Sequence, residues 1–205
     1  MSPERKAAAG RRKPGPAPMS RERLLAAAAQ EFAEHGYRAA TVQGIATRAG
    51  TTKPTMYAHF GDKESLLVAC LRYEADAART YLLEQYHAAE GLSGSAQTEA
   101  DVLALFDYAR DRPHGFKLLM DITEIGPTAG IREQLLDDIT TVLAEQLRPR
   151  LADPSSTARA RLIAAMAIGA VVHAARQTAL DTEADGTAAT TPSALVTSAL
   201  RGMQL

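Results

Sequence analysis

Apolar residues recur at intervals of three and four residues along most of this chain, which is the period of amphipathic α-helices. The first such stretch begins after Ser20, which can cap a helix. The cap is half made, because Arg23 stands where a capping box needs Glu or Gln. Gly36 is predicted to end this helix. Its apolar face consists of Leu24, Leu25, Ala28, Phe32 and Ala33.

Two short helices are predicted next, joined by a tight turn. Thr41 is a good N-cap for the second helix, which stops at Gly50. The third helix follows at once, capped by Thr51 or Thr52, and runs to about Phe60. Three helices in some forty residues with a glycine in the tight turn are the outline of a helix-turn-helix, although many helical hairpins have the same pattern of helix ends.

The rest of the chain is also predicted to be helical. Asp62 can cap a fourth helix, and no strand alternation, sequence repeat or heptad run interrupts the helical pattern. The fold class is therefore all-α. The later helices are expected at about 63–89, 97–111, 113–125, 129–148, 155–180 and 192–203.

Composition supports helices and excludes several classes of protein. The 41 alanines among 205 residues favour helix over strand. A single cysteine, Cys70, excludes a disulfide scaffold and a cysteine-rich zinc site, and we expect it to be an inert core residue. The first twenty residues are too polar for a signal peptide, and the apolar run 162–175 is too short to span a bilayer. We therefore expect a cytoplasmic protein without a membrane partner.

Charge is unevenly divided along the chain. The formal net charge of −1 combines +6 for residues 1–63 with −7 for residues 64–205. A basic N-terminal part attracts polyanions, whereas an acidic body stays away from them. Chance could produce the same unevenness, but its coincidence with a helix-turn-helix outline makes chance less favoured.

Residues 1–19 are predicted to form a basic disordered arm. They carry five Lys or Arg residues against one acid, and their prolines forbid a continuous helix. The arm is either a solvated tail or a segment that reaches DNA phosphates or the minor groove.

Residues 41–66 read T-V-Q-G-I-A-T-R-A-G-T-T-K-P-T-M-Y-A-H-F-G-D-K-E-S-L. This stretch, with the preceding helix, resembles the DNA-binding domain of TetR-family transcriptional regulators, over about residues 20–70. The resemblance implies a DNA-binding domain at 20–66 and a helical effector-binding and dimerisation domain at 67–205. It also implies a homodimer that binds a palindromic DNA operator, usually as a repressor, and is released by a small-molecule effector.

The third helix has the amphipathic layout that DNA recognition needs. Met56 and Phe60 share one face and should point into the core, while small residues occupy the opposite face, where a groove floor can approach. The family pattern assigns phosphate contacts or base contacts to Thr41, Gln43, Thr52, Lys53, Pro54, Thr55, Tyr57, His59 and Lys63.

Two of these residues admit a second role, and two positions depart from the family pattern. Tyr57 could instead be a partly buried packing residue, and His59 could hydrogen-bond the first helix. Thr51 replaces a usual Val, so its hydroxyl needs a partner. Pro54 replaces a frequent Gly and is allowed in a first helical turn.

Residues 67–205 give weaker indications of effector and dimer contacts. Large or soft side chains near polar ones are candidate effector contacts, although each could equally be core: Tyr73, Phe106, Phe116, Met120, Met166 and His173. The Ala-rich helix at 155–180 and the apolar face at 192–203 could form a four-helix dimer interface, or could pack within one subunit.

An enzyme is not expected. The string Gly91-Leu92-Ser93-Gly94-Ser95 lacks the final glycine of a nucleophile elbow, and no phosphate or dinucleotide fingerprint occurs. The five histidines lack metal-ligand spacing, so no metal and no cofactor are predicted.

Overall fold

The computed structural model describes residues 20–121, 128–151, 155–180 and 197–198. Within these residues every regular element is helical, which confirms the all-α fold class. The predicted arm at 1–19 and most of the predicted helix at 192–203 lie outside the described residues. The α-helices are α1 (Arg21–Ala39), α2 (Val42–Ala49), α3 (Lys53–Phe60), α4 (Lys63–Ala88), α5 (Gly94–Asp111), α6 (Pro113–Asp121), α7 (Ile131–Leu147) and α8 (Thr157–Leu180), with a 3₁₀ turn at Arg148–Arg150.

The predicted starts of α1, α2 and α3 are confirmed by their capping hydrogen bonds, whereas α5 starts at Gly94 rather than 97 and α7 at Ile131 rather than 129. The hydroxyl of Ser20 accepts from the Arg23 amide at 3.3 Å, and that of Thr41 accepts from the Gly44 amide at 2.9 Å. Thr52, not Thr51, caps α3, since its hydroxyl accepts from the amide of Thr55. Each bond satisfies one of the amides that a helix N-terminus leaves without a partner.

Glycines end the early helices as predicted. The backbone of α1 leaves the helical conformation at Gly36 (φ 70°), although residues 37–39 make one further turn. Gly50 ends α2 in the left-handed conformation (φ 71°, ψ 34°), which glycine adopts without the penalty of a Cβ. This left-handed residue lets α3 begin only three residues later, at Lys53.

One continuous hydrophobic core runs through the described helices. α1, α2 and α3 enclose its N-terminal part, and α4 joins this part to the rest because it packs on α1 and α3 and also on α5, α6 and α7. Cys70 of α4 is buried, as predicted, and its thiol donates to the Leu25 carbonyl of α1 at 3.4 Å. Burial raises the pKa of this thiol, which keeps it protonated and inert.

The apolar stretch of α8 extends beyond the uninterrupted apolar run at 162–175. Residues 157–177 contain a window that passes a length-and-composition test for a membrane span, with 28% of that window buried. Core helices of water-soluble proteins pass the same test, and α8 packs along α7 and α5. Its outward face remains apolar, with Leu162 exposed at 62% and Met166 at 57%.

Candidate nucleic-acid interface and ligand cavity

The α3 helix presents one buried face and one exposed face. Met56 and Phe60 are buried at 1% and 9%, which confirms their predicted inward direction. Lys53, Pro54 and Tyr57 are exposed on the other side. A helix anchored on one side by two large apolar residues can offer its outer face to a groove without losing its own packing.

The exposed side of α3 carries a preassembled cation and aromatic pair. The Lys53 ammonium lies 5.6 Å from the centre of the Tyr57 ring, and Tyr57 is 42% exposed. His59 is also exposed, with its ring 6.0 Å from that of Phe60. Both Tyr57 and His59 are thus placed at the surface, on the flanks of the helix.

The start of α2 is hydrogen-bonded to a buried side chain of α1. The Glu31 carboxylate of α1 accepts from the Thr41 amide at 3.4 Å and from Arg48 at 3.2 Å. Gly44 lies against that carboxylate, where a Cβ would come within 2.9 Å of the carboxyl carbon. One amide of the α2 start is therefore turned inward, while the side chains of Thr41 and Gln43 remain exposed.

The start of α4 supplies a further cation beside the same surface. The Lys63 ammonium donates to the Arg38 carbonyl at 3.3 Å and lies 4.6 Å from the Tyr37 ring centre. Asp62 caps α4 by accepting from the Ser65 amide at 2.7 Å, and this hydrogen bond holds the pKa of Asp62 below its usual value. Its contacts with Arg38 and Tyr37 hold the Lys63 side chain at the end of α1.

Thr52 and Thr55 are coupled to each other. Their hydroxyl oxygens lie 2.9 Å apart, so one donates to the other. Thr52 is exposed and Thr55 is half-buried. The structure therefore places all nine predicted DNA-contact residues in the segment from the start of α2 to the start of α4, with Thr55 and Lys63 half-buried and the other seven exposed.

A cavity lies among α4, α5, α6, α7 and α8. Its volume is about 50 Å³, and most of its lining residues are apolar. Two predicted effector contacts, Phe116 and Met120 of α6, line it. Cavities lined by apolar residues with a few polar groups are the usual form of small-molecule sites.

The other four predicted effector contacts lie outside this cavity. Tyr73 is half-buried, with its ring centre 5.7 Å from the Arg112 guanidinium, and Phe106 is half-buried on α5. Met166 and His173 lie on the exposed side of α8. An apolar helix does not reveal from its sequence alone which of its faces turns inward.

Sequence reasoning missed most of the cavity wall. The i, i+4 spacing of apolar residues in α7 was the available signal, since it forms one continuous wall: Leu135, Ile139, Leu143 and Leu147. The polar lining residues Thr98 and Asp101 carried no such signal. Burial raises the pKa of Tyr86, another lining residue, and the nearby Asp101 carboxylate adds to the shift.

An ion pair between a buried glutamate and a partly exposed arginine lies beside the cavity. Arg112 donates to both carboxylate oxygens of Glu74, at 2.8 and 3.0 Å. The Tyr108 hydroxyl, on the cavity wall, donates to the Glu74 carbonyl at 3.2 Å. Gly115 lies against the same carboxylate and precedes Phe116 of the cavity wall. The pair therefore links α4 to the junction of α5 and α6.

Comparison with known proteins agrees with this geometry. Residues 24–70 match the family model described as bacterial regulatory proteins, tetR family. The transcriptional activator FasR of Mycolicibacterium smegmatis is 31% identical over 120 residues, covering 58% of this chain and 54% of FasR. The repressor AcnR of Corynebacterium glutamicum is 45% identical over 56 residues, covering 27% of this chain and 30% of AcnR. The matches thus span about half or less of these curated relatives.

The fold is shared over a longer stretch. The crystal structure of the transcriptional regulator FadR from Bacillus subtilis in complex with stearoyl-CoA has a TM-score of 0.67 at 17% identity. That alignment covers 88% of this chain and 95% of FadR. Both of the named curated relatives, FasR and AcnR, are transcriptional regulators. The N-terminal part of the chain, residues 24–70, is therefore similar to the bacterial regulatory proteins of the tetR family.

Proposed function

We propose that this chain is a sequence-specific DNA-binding repressor that a small-molecule effector releases from a palindromic operator. The observation that carries the proposal is the two-sided α3 helix, anchored by Met56 and Phe60 and presenting Lys53 and Tyr57 outward. In a helix-turn-helix the second helix enters the major groove, and cations on its flanks bind phosphates. The protein acts in the cytoplasm, where an operator is accessible.

The DNA contacts divide into two groups. Thr41, Tyr57, His59 and Lys63 set the register by contacting phosphates, as their positions at helix starts and on the flanks of α3 allow. The residues nearest to base edges are Gln43, Thr52, Lys53 and Thr55, and Pro54 lies on the same face of α3, where the groove floor approaches. Gln suits adenine and Lys suits guanine, because their donors and acceptors match those base edges in the major groove.

The exposed apolar side of α8 supports a homodimer. Leu162 and Met166 form a patch on this helix together with Ala165, Gly169 and Ala170. Small residues let two helices approach closely, and apolar surface of this kind marks an interface. A second copy of α8, with the helix predicted at 192–203, would cover it in a four-helix contact.

Effector release follows from the position of α4. This helix is packed at its start against α1 and α3, and further along it lines the cavity through Ala78, Leu82 and Tyr86. α6 joins the two regions a second time, because it lines the cavity and packs on α1. A ligand that prefers one arrangement of these helices shifts the separation of the two DNA-binding units. Half-sites one helical turn apart, about 34–36 Å, tolerate little displacement.

The test is DNA selection followed by a salt titration. Fragments bound by the purified full chain are sequenced, and a palindrome is expected. On that operator, affinity should fall with salt at a log–log slope of about −0.9 for each phosphate neutralised. Lys53→Ala, Tyr57→Ala and Lys63→Ala should each weaken binding at least tenfold, and Lys63→Ala should also reduce the slope by about one unit.

Lys117→Ala is the matched control. Lys117 is a cation of α6, where it pairs with Asp121 at 3.3 Å. It should leave operator affinity unchanged. Weak binding that is insensitive to Lys53, Tyr57 and Lys63 would contradict the proposal.

The arm at 1–19 has a separate test. Deletion of residues 1–18 should weaken binding to all DNA sequences with little change in specificity if the arm contacts phosphates. Unchanged affinity would identify it as a solvated tail.

A further inference from the structure

Glu31 places a carboxylate inside the packed N-terminal helices. Its side chain is only 9% exposed, and the buried residues Phe32 and Ala33 follow it in α1. A carboxylate that is removed from water is costly unless hydrogen bonds and an opposite charge compensate it. The groups that compensate Glu31 therefore show which part of the structure it holds in place.

The Glu31 carboxylate bonds to both ends of α2. Its Oε1 accepts from the Thr41 amide at 3.4 Å, and its Oε2 accepts from the Arg48 guanidinium at 3.2 Å. Thr41 is the N-cap of α2, and Arg48 lies in its last turn. His35 of α1 adds a longer contact, with 3.8 Å between its Nδ1 and the same Oε2. One side chain of α1 thus contacts α2 at its N-cap and at its last turn.

The close approach of the carboxylate to α2 depends on Gly44. A Cβ at Gly44 would overlap Oε1 of Glu31 and would lie 2.9 Å from the carboxyl carbon. The same Cβ would lie 3.1 Å from the hydroxyl oxygen of Thr41. The carboxylate therefore lies against the first turn of α2, where the partial positive charge of a helix N-terminus favours an anion.

Apolar packing alone defines the position of α2 weakly. The buried residues of this helix are small or of medium size: Val42, Ile45, Ala46 and Ala49. Hydrophobic contacts are non-directional, so they favour burial of this face without selecting one exact position. Hydrogen bonds are directional and act over a narrow range of distances. The two bonds of Glu31 therefore define where α2 lies along α1.

The position of α2 matters for DNA recognition. In a helix-turn-helix the first helix crosses the DNA backbone while the second enters the major groove. Thr41 and Gln43 are exposed at the start of α2, and Lys53 and Tyr57 are exposed on α3. A shift of α2 would move the first two residues relative to the other two. Hydrogen bonds to base edges are lost with such a shift, whereas the attraction between cations and phosphates falls off gradually.

We propose that Glu31 is a positioning residue for operator recognition, which holds α2 in register with α3 through the Thr41 amide and Arg48. The proposal rests on the DNA-binding part of the proposed function and adds a residue that does not touch DNA. Loss of Glu31 should weaken binding to the operator more than binding to unrelated DNA, because removal of a negative charge does not reduce the attraction to phosphates. A residue needed only for folding would affect both affinities equally.

The experiment compares the operator with unrelated DNA. The affinity of the full chain is measured at one salt concentration for the operator obtained by DNA selection and for a scrambled duplex of the same length and base composition. Glu31→Gln should weaken operator binding about tenfold, which is the usual cost of one mismatched base pair. Binding to the scrambled duplex should be unchanged or slightly stronger, so the ratio of the two affinities falls.

Glu34→Gln is the matched control. Glu34 is also on α1 and binds the same arginine, with 2.6 Å between its Oε2 and the Nη2 of Arg48. It is exposed, and its other oxygen accepts from Gln30. Glu34→Gln therefore removes the same charge from the same helix without the contacts at the start of α2. It should leave the ratio of affinities nearly unchanged.

Gly44→Ala displaces the carboxylate without changing any charge. It should lower the ratio of affinities in the same direction as Glu31→Gln does. In a double-mutant cycle, Gly44→Ala should add little to Glu31→Ala, because the carboxylate that its Cβ would meet is already absent. Additive effects of the two changes would show that Gly44 acts independently of Glu31.

Three results would overturn the proposal: an unaltered ratio in Glu31→Gln, an equal loss of both affinities, or an equal fall of the ratio in Glu34→Gln. If Glu31→Gln does not fold, Gly44→Ala decides by the same ratio. Hydrogen exchange of the α2 amides, measured without DNA, separates the proposal from the proposed function. Exchange should be about tenfold faster in Glu31→Gln than in Glu34→Gln. Equal exchange would overturn the proposal, whereas an unaltered chain that selects no operator would contradict only the proposed function.

Discussion

The helix-turn-helix part of the molecule (α1 to α3) and the cavity-forming part (α4 to α8) each contain a buried glutamate that is paired with an arginine and lies against a glycine. In the first, Glu31 of α1 holds Arg48 of α2, and in the second Glu74 of α4 holds Arg112. The first pair is shared, since Arg48 also binds the exposed Glu34 at 2.6 Å and Glu31 also accepts from the Thr41 amide. The second is bidentate, with the Glu74 side chain only 3% exposed.

The difference shows two ways of joining helices. The α1–α2 contact supplements helices that already carry side-chain caps, whereas α5 and α7 begin without any side-chain capping bond. α5 and α7 therefore depend more on packing against helices distant in sequence. Four sets of substitutions test this difference, beginning with the largest expected loss of stability.

Removal of each arginine should separate the two pairs most clearly. Arg112→Ala leaves the Glu74 carboxylate buried without its charge partner and should lower the free energy of unfolding by about 3 kcal/mol. Arg48→Ala should cost about 1 kcal/mol, because Glu31 keeps another hydrogen bond. Urea denaturation of both variants measures the two losses. Equal losses would show that the pairs are equivalent. Arg110→Ala, an exposed cation of α5, is the control and should be nearly neutral.

Replacing Gly44 and Gly115 with alanine should destabilise both pairs to a similar extent, and by less than the loss of Arg112. At Gly115 a Cβ would lie 2.7 Å from the Glu74 carboxyl carbon, and at Gly44 it would lie 2.9 Å from that of Glu31. Each change to Ala should cost about 1–2 kcal/mol, because the carboxylate must move. Gly94→Ala in the first turn of α5 meets nothing within 4 Å and should be neutral or slightly stabilising. Thermal unfolding compares the three variants, and a stabilising Gly44→Ala would refute the close packing.

Loss of the serine or threonine before a helix should affect α2 but not α5. Thr41→Ala removes the hydrogen bond to the Gly44 amide and should lower stability by about 1 kcal/mol. Ser93→Ala should have almost no effect, because Ser93 precedes α5 without a side-chain capping bond. Denaturant midpoints of the two variants provide the measurement. A comparable loss for Ser93→Ala would remove this distinction between the two parts.

The smallest effect concerns pH. The pKa of Asp62 is lowered by the hydrogen bond from Ser65, so the folded state favours the ionised carboxylate. Its contribution is present above the unfolded pKa, near 3.8, and is lost as the pH falls through the lower folded-state pKa. Asp62→Asn should therefore make unfolding less dependent on pH in this acidic window. An unchanged pH profile of the unfolding midpoint would contradict the role of this cap.

Local chemistry explains why the first four helices were predicted almost to the residue. Thr41, Asp62 and Gly50 act within a few residues of their own positions, so their effects are readable from the sequence. The choice between Thr51 and Thr52 needed coordinates, because both hydroxyls can serve as an N-cap. The inward direction of Met56 and Phe60 followed from helical spacing alone.

The cavity could be predicted only in part. Phe116 and Met120 were identified because they are large, but Met166 has the same character and lies on the exposed side of α8. In an Ala-rich helix both faces are apolar, so the sequence does not show which of them packs inward. The pairing of Glu74 with Arg112, 38 residues apart, had no local signal.

The sequence by itself determined the first four helices, their caps and the outward face of α3, because helix periodicity and capping act over three or four residues. It also located the division between a basic N-terminal part and an acidic remainder. The tertiary structure decided which apolar faces enclose the cavity, where the buried ion pairs form and which side of α8 stays exposed. These features depend on contacts between helices, which arise only when segments distant in sequence pack together.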